Sequence, residues 1–320
     1  MAIEVTAVIP TWNRWLLLRD VLRDLAEQTH PLAEVIVVDN ASNDETAQRA
    51  EEMGARVLRQ SSNLGFAKAV NIGVKAAQTS HVAILNNDVR LAAHWLEHLA
   101  AHADQTFVAP KIYQAEVGAV LDGSFDLLSR SGCAWRAGHG QADGPEWNVG
   151  RAIQFVPFTA VLFQRELFEQ VGYLEESFES YLEDVEFGLR CAMAGRQGWY
   201  EPRAQAWHLG SATLGAWSPA MVRRISRNQV WLVRKHFPGG MWRWRVLVGQ
   251  GLWGVLAFRN AAFGAWVKGK WEGVLGKCGD AGEGDVVPVL RECEREIRRL
   301  QQQGGWDTFW RLYFALTGAD

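Results

Sequence analysis

The chain has 320 residues, of which 33 are basic and 36 are acidic, so its formal net charge is −3. This length suits one large domain or two modest ones with an ample hydrophobic core. The near balance of charges argues against a nucleic-acid partner, which a basic surface would have to attract. The four cysteines lack CxxC spacing, a distribution typical of a reducing compartment and not of a zinc site.

The N-terminus carries no basic-then-apolar targeting pattern, because residues 3–9 already have the composition of a β-strand. No uncharged apolar run reaches the roughly 18 residues that a membrane-spanning helix needs. We therefore expect a cytoplasmic protein, and peripheral attachment to the cytoplasmic face of a membrane stays open. The oligomeric state also stays open.

Apolar and amphipathic segments alternate through the N-terminal third of the chain. Strand-like segments cover residues 3–9, 34–38, 56–58 and 81–85. Between them apolar residues recur at helical spacing, as Leu17, Val21 and Leu25 do. This alternation predicts an α/β fold with a mostly parallel sheet covered by helices on both faces. Neither a Gly-x-Gly-x-x-Gly turn nor a Walker A lysine follows the first strand, which disfavours dinucleotide-binding and P-loop folds.

Three of the four strand-like segments end in side chains that can bind a ligand. These residues are Thr11 and Asn13, then Asp39, Asn40 and Ser42, then Asn86, Asn87 and Asp88. Ligands of open α/β sheets bind just outside the carboxyl ends of the strands, so the three groups outline one site. Asp88 can bind a hard cation such as Mg²⁺ or Mn²⁺ through oxygen. Each group alone is equally compatible with an ordinary turn.

The middle of the chain has a less regular pattern. Residues 106–128 suggest strands and a hairpin, and residues 154–163 suggest a further strand. Residues 132–150, between them, are rich in Gly and polar residues and predict a loop. A mobile loop beside the donor or acceptor and a plain surface loop are both compatible with this composition.

A carboxylate-rich segment covers residues 178–187. Ser180 followed three residues later by Glu183 fits a capping box, which predicts a helix with Asp184 in its first turn. The helix dipole there favours the ionised carboxylate, so Asp184 is a candidate proton acceptor. Acidic residues also occupy first turns for stability alone, and the segment by itself does not decide between the two interpretations.

A histidine, His208, follows two short strands predicted at residues 198–201 and 204–207. A neutral imidazole can bind a metal, whereas a simply packed histidine is the alternative. A long helix is predicted next, over residues 218–237.

The composition changes at residue 238, and we divide the chain there into regions 1–237 and 238–320. The second region mixes aromatic with basic residues, including Trp242, Trp244, Trp253, Phe258, Trp266 and Trp271 with Arg243, Arg245, Arg259, Lys268 and Lys270. Such helices can lie in the interface of an anionic membrane. A helical cap packed on the first region is the alternative. A Gly-rich linker is predicted at 273–285, followed by helices at 289–300 and 306–316.

Several motifs in a fixed order resemble the family 2 glycosyltransferases with the GT-A fold. They lie at residues 8–14, 37–42, 63–73, 85–88 and 181–186. A later stretch, Trp207-His208-Leu209-Gly210-Ser211, followed by Arg227-Asn228 and Lys235-His236, looks most like the rhamnosyltransferase-type branch. The resemblance covers residues 3–237, and the shared order of the motifs is more specific than any one of them.

The resemblance implies a role for each matching residue. Asp39 would read the pyrimidine ring of the nucleotide, with Pro10 and Thr11 lining the same pocket. Asp184 falls on the catalytic base, and His208 falls on a histidine that can complete the metal site with Asp88. The first aspartate of the family's D-x-D element is replaced by Asn86, which implies a weaker site for Mg²⁺ or Mn²⁺. The other implied donor-binding residues are Asn13, Asn40, Ser42, Asn63, Gly65, Phe66, Asn71 and Asn87, and the implied acceptor residues are Glu183 and Trp207.

The resemblance therefore implies an inverting glycosyltransferase. Its donor would be a UDP- or dTDP-sugar, with rhamnose as one option, and its acceptor a glycan or a lipid-linked glycan. A sugar-phosphate nucleotidyltransferase is an alternative, although such enzymes usually carry a Gly-rich loop after the first strand. A non-catalytic nucleotide-sugar-binding protein is a further alternative, supported by the asparagine at position 86.

Overall fold

The computed structural model describes residues 3–115, 117–210, 217–239, 243–279 and 284–318. Ser211 and Trp242, both used in the sequence predictions, lie outside the described residues. Strands β1–β12 span Val5–Thr11, Glu34–Asp39, Arg56–Arg59, His81–Leu85, Val89–Leu91, Phe107–Gln114, Leu121–Gly123, Asp126–Leu128, Ala134–Arg136, Arg151–Ile153, Ala160–Gln164 and Gly198–His208. Helices α1–α11 span Trp15–Ala26, Thr46–Glu52, Phe66–Ala76, Trp95–Ala100, Glu166–Gln170, Glu183–Met193, Pro219–His236, Trp244–Arg259, Phe263–Leu275, Val286–Gly304 and Thr308–Thr317.

The main sheet has the order β10-β12-β6-β11-β4-β1-β2-β3. Its N-terminal half is parallel, because β1 pairs in parallel with both β2 and β4, and β2 with β3. Strand β11 runs antiparallel between β4 and β6, and β12 runs parallel to β6. The predicted α/β fold with a mostly parallel sheet is confirmed. The antiparallel pairings of this sheet are those of β11 with β4 and β6, β10 with β12, β5 with β12, and β7 with β6.

The sheet is covered on both sides, as parallel sheets usually are. Every residue of β1 is buried, and separate apolar clusters fill the two faces of the sheet. Helix α3 lies especially close to β1, because a Cβ added at Gly73 would be 2.3 Å from Val8 Cγ1. This close packing gives a physical reason for the glycine in the 63–73 motif.

Several local predictions differ from the structure. Ser180 does not cap α6; the N-cap is Leu182, whose backbone is left-handed. The two strands predicted after residue 198 are one strand, β12, with a bulge between Glu201 and Gln205. The predicted loop at 132–150 contains β9 and buries Ala137 and Trp147, so it is a packed segment.

The C-terminal helices pack on the first region. Helix α10 contacts β8 and α6, and α11 contacts α8. Buried Glu294 of α10 accepts hydrogen bonds from Arg130 Nε at 2.7 Å and from Tyr313 Oη at 2.5 Å. The division at residue 238 stays a prediction, since one apolar cluster includes both sheet residues and residues of α10 and α11. Among the described helices, none combines the length and the hydropathy needed to cross a bilayer.

Candidate active site

The predicted nucleotide residues meet where β1 and β2 end. The strand register pairs Thr11 with Asp39. Both Asp39 carboxylate oxygens accept from the Ser42 backbone N–H at 3.3 Å, and Ser42 Oγ accepts from the Asn13 backbone N–H at 2.6 Å. The Asn40 backbone N–H donates to the Thr11 carbonyl at 2.8 Å. The loops after the two strands therefore hold each other in place, and buried Pro10 precedes Thr11 on β1.

A second predicted donor segment leads into α3. The Asn63 side chain accepts from the Gly65 backbone N–H at 3.0 Å. Gly65 has φ 82°, and a Cβ added there would be 3.1 Å from the Glu179 carbonyl oxygen. Glycine is needed for this left-handed backbone and close approach. Gly65 thus packs against the loop that precedes α6. Half-buried Phe66 follows Gly65 and begins α3.

Asn71 is buried inside α3 and contacts the protein through both ends of its amide. Its Nδ2 donates to the Leu174 carbonyl at 2.9 Å and to Glu176 Oε1 at 3.2 Å, and its Oδ1 accepts from the Leu174 backbone N–H at 3.0 Å. Asn71 therefore connects α3 to the segment that precedes α6. Its predicted role in donor binding stays a prediction.

The candidate metal-binding residues come together because β12 pairs with β5 directly after Asp88. His208 Nε2 lies 3.2 Å from Asp88 Oδ1 and 3.2 Å from the Asn86 side-chain amide. Its Nδ1 lies 2.9 Å from Asp122 Oδ2. Asn87 instead contacts the end of β1, where its Nδ2 donates to Thr11 Oγ1 at 2.9 Å.

This arrangement fits a divalent cation held by few protein atoms. Burial lowers the pKa of His208, but hydrogen bonds with Asp122 and Asp88 outweigh burial and raise the pKa to about 9. A cation between Asp88 and His208 would replace that proton, while Asp122 would orient the ring, a pattern common around metal-bound histidines. Among the described residues, no three His, Cys, Asp or Glu side chains form a metal-binding cluster. The pair suits a cation that takes its other ligands from a diphosphate, as Mg²⁺ commonly does.

Arg136 on β9 lies among three carboxylates. Its guanidinium is 3.6 Å from Asp122, 3.3 Å from Asp126 and 3.9 Å from Asp184. Burial raises the pKa of Asp122, but His208 and Arg136 outweigh burial, so the net pKa is lowered. Burial raises the pKa of Asp126 to about 6 although Arg136 opposes the rise. Arg136 therefore connects the histidine end of the site to Asp184.

The two acidic residues at the start of α6 have different surroundings. Burial raises the pKa of Asp184, which Arg136 and backbone N–H groups oppose. Burial and the neighbouring Asp184 charge raise the pKa of Glu183 much further. The Asp184 side chain is 15% exposed, whereas Glu183 is buried and its Oε2 has no hydrogen-bond partner among the described residues. Asp184 is therefore the more exposed carboxylate of the pair, and it lies beside the Arg136 guanidinium.

The sequence of the chain matches a known protein family. The model of the family described as Glycosyl transferase family 2 matches residues 6–172, which is just over half of the chain. The chain belongs to glycosyl transferase family 2. The predicted family resemblance is thereby confirmed.

Two relatives of this family 2 chain come from Mycobacterium tuberculosis. A pre-mycofactocin glycosyltransferase is 30% identical over 246 residues, which cover 74% of this chain and 46% of the relative. The chain thus spans about half the length of that relative. An N-acetylglucosaminyl-diphospho-decaprenol L-rhamnosyltransferase is 26% identical over 256 residues, which cover 69% of this chain and 81% of the relative.

Solved structures share the fold at low sequence identity. GalNAc-T7 with UDP, GalNAc and Mn²⁺ superposes with a TM-score of 0.64 at 15% identity, covering 95% of this chain and 58% of that one. The mannosyltransferase PcManGT from Pyrobaculum calidifontis, in complex with GDP-Man and Mn²⁺, superposes with a TM-score of 0.54 at 16% identity. The match covers 98% of this chain and 87% of that one. These likenesses confirm the GT-A fold of the family 2 chain.

The loop before α6 of this family 2 chain has a strained backbone. Glu179, Tyr181 and Leu182 have φ values of 60°, 72° and 66°, which residues other than glycine rarely adopt. Asn228 of α7 donates to the Tyr181 carbonyl at 2.7 Å and to the carbonyls of two further loop residues. Arg227 binds Glu179 Oε1 at 3.1 Å. The Arg227-Asn228 motif therefore holds the loop that precedes Asp184.

The acceptor role of Trp207 stays a prediction, and the structure adds two residues that the sequence predictions omitted. Trp207 stacks on Tyr113 with ring centroids 5.9 Å apart. It precedes His208 on β12, and neighbouring strand residues point to opposite faces, so the two side chains diverge. The omitted residues are Asp122 and Arg136. Asp122 lies in the segment predicted to form strands and a hairpin, Arg136 lies in the segment predicted to be a loop, and no sequence pattern singled out either residue.

Proposed function

We propose that this family 2 chain is an inverting glycosyltransferase that uses a pyrimidine nucleotide-diphosphate sugar. It would transfer the sugar to a hydroxyl of a glycan or a lipid-linked glycan. The observation that carries the proposal is the pairing of a partly exposed carboxylate, Asp184, with the Asp88–His208 pair through Arg136 and Asp122. The Asp88–His208 end suits a diphosphate with its cation, and the Asp184 end supplies the proton acceptor.

The chemistry needs one proton acceptor. As the acceptor oxygen bonds to the anomeric carbon, the bond from that carbon to the diphosphate oxygen breaks, and the acceptor proton moves to the Asp184 carboxylate. A single displacement inverts the anomeric centre. Asp88 and His208 would hold a divalent cation, which when bound supplies positive charge to the departing diphosphate. The amides of Asn86 and Asn87 can donate to phosphate or ribose oxygens.

The position of Asp39 favours a donor with a pyrimidine base. The Asp39 carboxylate sits at the end of β2, where it can accept from the imide N–H of uracil or thymine. Adenine lacks such a ring N–H, and guanine carries its own on a larger, two-ring base. The contact of the Asp39 carboxylate with the Ser42 backbone fixes its orientation. The mannosyltransferase with GDP-Man shows that this fold also accommodates a purine, so base preference is a property of the individual site and needs a direct test.

One relative supports the choice of sugar and acceptor. The rhamnosyltransferase among the relatives, named for a diphospho-decaprenol substrate, supports rhamnose and a lipid-linked acceptor. A lipid-linked acceptor would bring the enzyme to the cytoplasmic face of a membrane.

A thermal-shift panel tests the proposal, because a ligand that binds only the folded state raises its melting temperature. We expect UDP or dTDP, with Mn²⁺ or Mg²⁺, to stabilise the protein more than ADP or GDP. Asp39→Asn should remove the preference, since a charge-assisted hydrogen bond contributes roughly 1.5–3 kcal/mol. Asp20→Asn on α1 is the matched control. Equal stabilisation by purine and pyrimidine diphosphates would refute the donor assignment, and pyrophosphate release from a sugar phosphate and a nucleoside triphosphate would favour a nucleotidyltransferase.

A further inference from the structure

Helices α8 and α9 expose large apolar side chains on one side each. This α8–α9 face consists of Trp244, Leu247, Val255 and Phe258 from α8 and Phe263, Val267, Trp271 and Val274 from α9. Their spacing of three, four or seven to eight residues places each set on one side of its helix. Phe258 is 70% exposed and Trp271 is 65% exposed. Contiguous exposed apolar surface of this kind marks a binding surface.

The two helices already use their other sides to pack on the protein. A Cβ added at Gly269 would be 2.2 Å from the Arg223 carbonyl oxygen, and one at Gly273 would be 2.9 Å from that of Arg227. Helix α9 therefore lies in close contact with α7 through these two glycines. The α8–α9 face is the side of the hairpin left over after this packing.

The face is continuous across the elements that form it. The rings of Phe258 and Phe263 are 6.0 Å apart across the turn between the two helices. At the other end, Trp244 Nε1 donates to the Leu316 carbonyl of α11 at 3.2 Å. Leu312 and Leu316 of α11 are themselves exposed, so apolar surface extends from α9 over α8 to α11.

Positive charge surrounds the apolar surface. Residues 243–279 contain six Arg or Lys residues and one acidic residue, Glu272, in a chain whose net charge is −3. Of the six, Lys270 is half-buried and donates to Gln229 and Gln250, so it does not contribute to this surface. Arg223 of α7 binds Glu272 at 2.7 Å, so this carboxylate already has a partner. Arg243, Arg259 and Lys268 are exposed beside the face. The charge complements an anionic surface, whereas two copies of the chain meeting here would bring like charges together.

We propose that the α8–α9 face binds the surface of an anionic lipid bilayer. The Trp and Phe side chains would lie in the bilayer interface, and the neighbouring Arg and Lys side chains would contact the headgroups. The proposal extends the proposed function, because a lipid-linked acceptor would be presented at that surface. Vesicle binding requires no sugar transfer, so the two proposals can fail separately.

Co-sedimentation of the full chain with vesicles tests the proposal. We compare vesicles of phosphatidylcholine with vesicles that also contain phosphatidylglycerol, each at low and high salt. The double variant Phe258→Ser, Trp271→Ser removes apolar contact, and Arg259→Glu, Lys268→Glu reverses charge. Matched controls on α1 are Leu16→Ser, at a residue 62% exposed, and Arg23→Glu, whose side chain is 60% exposed.

We expect the wild type and both controls to bind the anionic vesicles, and binding to weaken at high salt. The vesicle affinity of the aromatic double variant should fall at least about tenfold, since this variant lacks two large apolar side chains that the bilayer would bury. The charge variant should lose its preference for phosphatidylglycerol. A urea unfolding midpoint unchanged from wild type, which requires no nucleotide, shows that each variant is folded.

Equal vesicle binding by the aromatic double variant and the wild type would overturn the proposal. A wild-type dimer detected by light scattering, lost in the same variant and accompanied by no vesicle binding, would also overturn it and identify a second copy as the occupant. Vesicle binding without any response to nucleotides would support the lipid surface and count against the proposed function alone.

Discussion

The guanidinium of Arg136 lies 3.9 Å from the Asp184 carboxylate and 3.6 Å from that of Asp122. Asp122 contacts His208, and His208 reaches Asp88. A continuous series of polar contacts therefore connects the candidate metal-binding pair, Asp88 and His208, to the candidate base, Asp184. Removing a charge at one point of this series should alter the protonation of its neighbours.

Arg136→Met should raise the pKa of Asp184. Burial already raises this pKa and Arg136 opposes the rise, so loss of the cation favours the protonated carboxyl. Transfer requires the ionised base, so the acid limb of the kcat profile should move to higher pH by about one unit or more. The measurement is kcat as a function of pH with a fixed donor and acceptor.

Arg136→Lys is the conservative comparison, because it keeps the charge beside Asp184 and should recover part of the shift. Arg196→Met, at an exposed position, is the control for a general effect of losing a charge. An acid limb that stays in place when Arg136 is replaced by Met, in a protein that still binds UDP, would contradict the proposed contact.

Replacing the two candidate carboxylates should affect different steps. Asp184→Asn should leave donor binding nearly intact and slow transfer by ~10²–10⁴, the usual contribution of a positioned base. Asp88→Ala should weaken the metal-dependent part of donor binding. Calorimetric titration of the donor and a transfer assay, run on both variants, separate these effects.

Glu183→Gln is the matched control for this pair. Burial and the Asp184 charge raise the pKa of Glu183 well above its usual value, and glutamine keeps the size of this side chain without its charge. We expect transfer within a few-fold of wild type. Full activity of Asp184→Asn together with inactivity of Glu183→Gln would move the base to Glu183.

The sequence predicted the site best where strands end in polar residues. Thr11 and Asp39 meet because parallel strands end at the same edge, and that edge is readable from hydrophobic pattern alone. The pairing of Asp88 with His208 was expected from the family resemblance, and its physical cause is the antiparallel pairing of β5 with β12, which no local pattern reveals.

Arg136 and Asp122 could not be predicted by the same reasoning. Their contact depends on two short strands, β7 and β9, whose positions are set by packing between distant parts of the chain. Gly123 shows this dependence, since a Cβ added there would lie 2.2 Å from Arg136 Cγ. The sequence contains the glycine, but only the fold shows that it makes room for the arginine stem.

Asn228→Ala should slow transfer more than it weakens nucleotide binding. Asn228 donates to the carbonyls of Ser180 and Tyr181, and it thereby helps hold a loop in which left-handed residues cost on the order of 1–2 kcal/mol each. Releasing the loop would misplace Asp184, whereas Thr11 and Asp39 at the ends of β1 and β2 are held by contacts of their own. We expect kcat to fall about tenfold or more with the affinity for UDP unchanged.

Ser226→Ala is the control for that experiment, because Ser226 is a buried polar residue of the same helix whose hydroxyl has no hydrogen-bond partner among the described residues. We expect this variant to keep both kcat and the affinity for UDP. If Asn228→Ala lowers the affinity for UDP as much as it lowers kcat, the residue supports the fold in general and has no specific role in positioning the loop.

Glu186 should make the stability of the protein sensitive to acid. Burial raises its pKa, but His236, Arg190 and Lys235 outweigh burial and lower the pKa to about 2. The contacts are 2.9 Å to His236 Nε2 and 3.0 Å to Lys235 Nζ. A carboxylate with a depressed pKa contributes stability that is complete above its unfolded-state pKa, about 4.3, and is lost as the pH falls toward 2.

Glu186→Gln should therefore destabilise the protein near pH 7 by about 3–5 kcal/mol, because it leaves buried cations uncompensated. The difference from wild type should shrink between pH 4.5 and pH 2, where the wild type loses the same carboxylate by protonation. Urea unfolding at several pH values measures both quantities, and Glu169→Gln, whose side chain is 55% exposed, is the control. A destabilisation that stays constant over this pH range would show that Glu186 acts through packing and not through its charge.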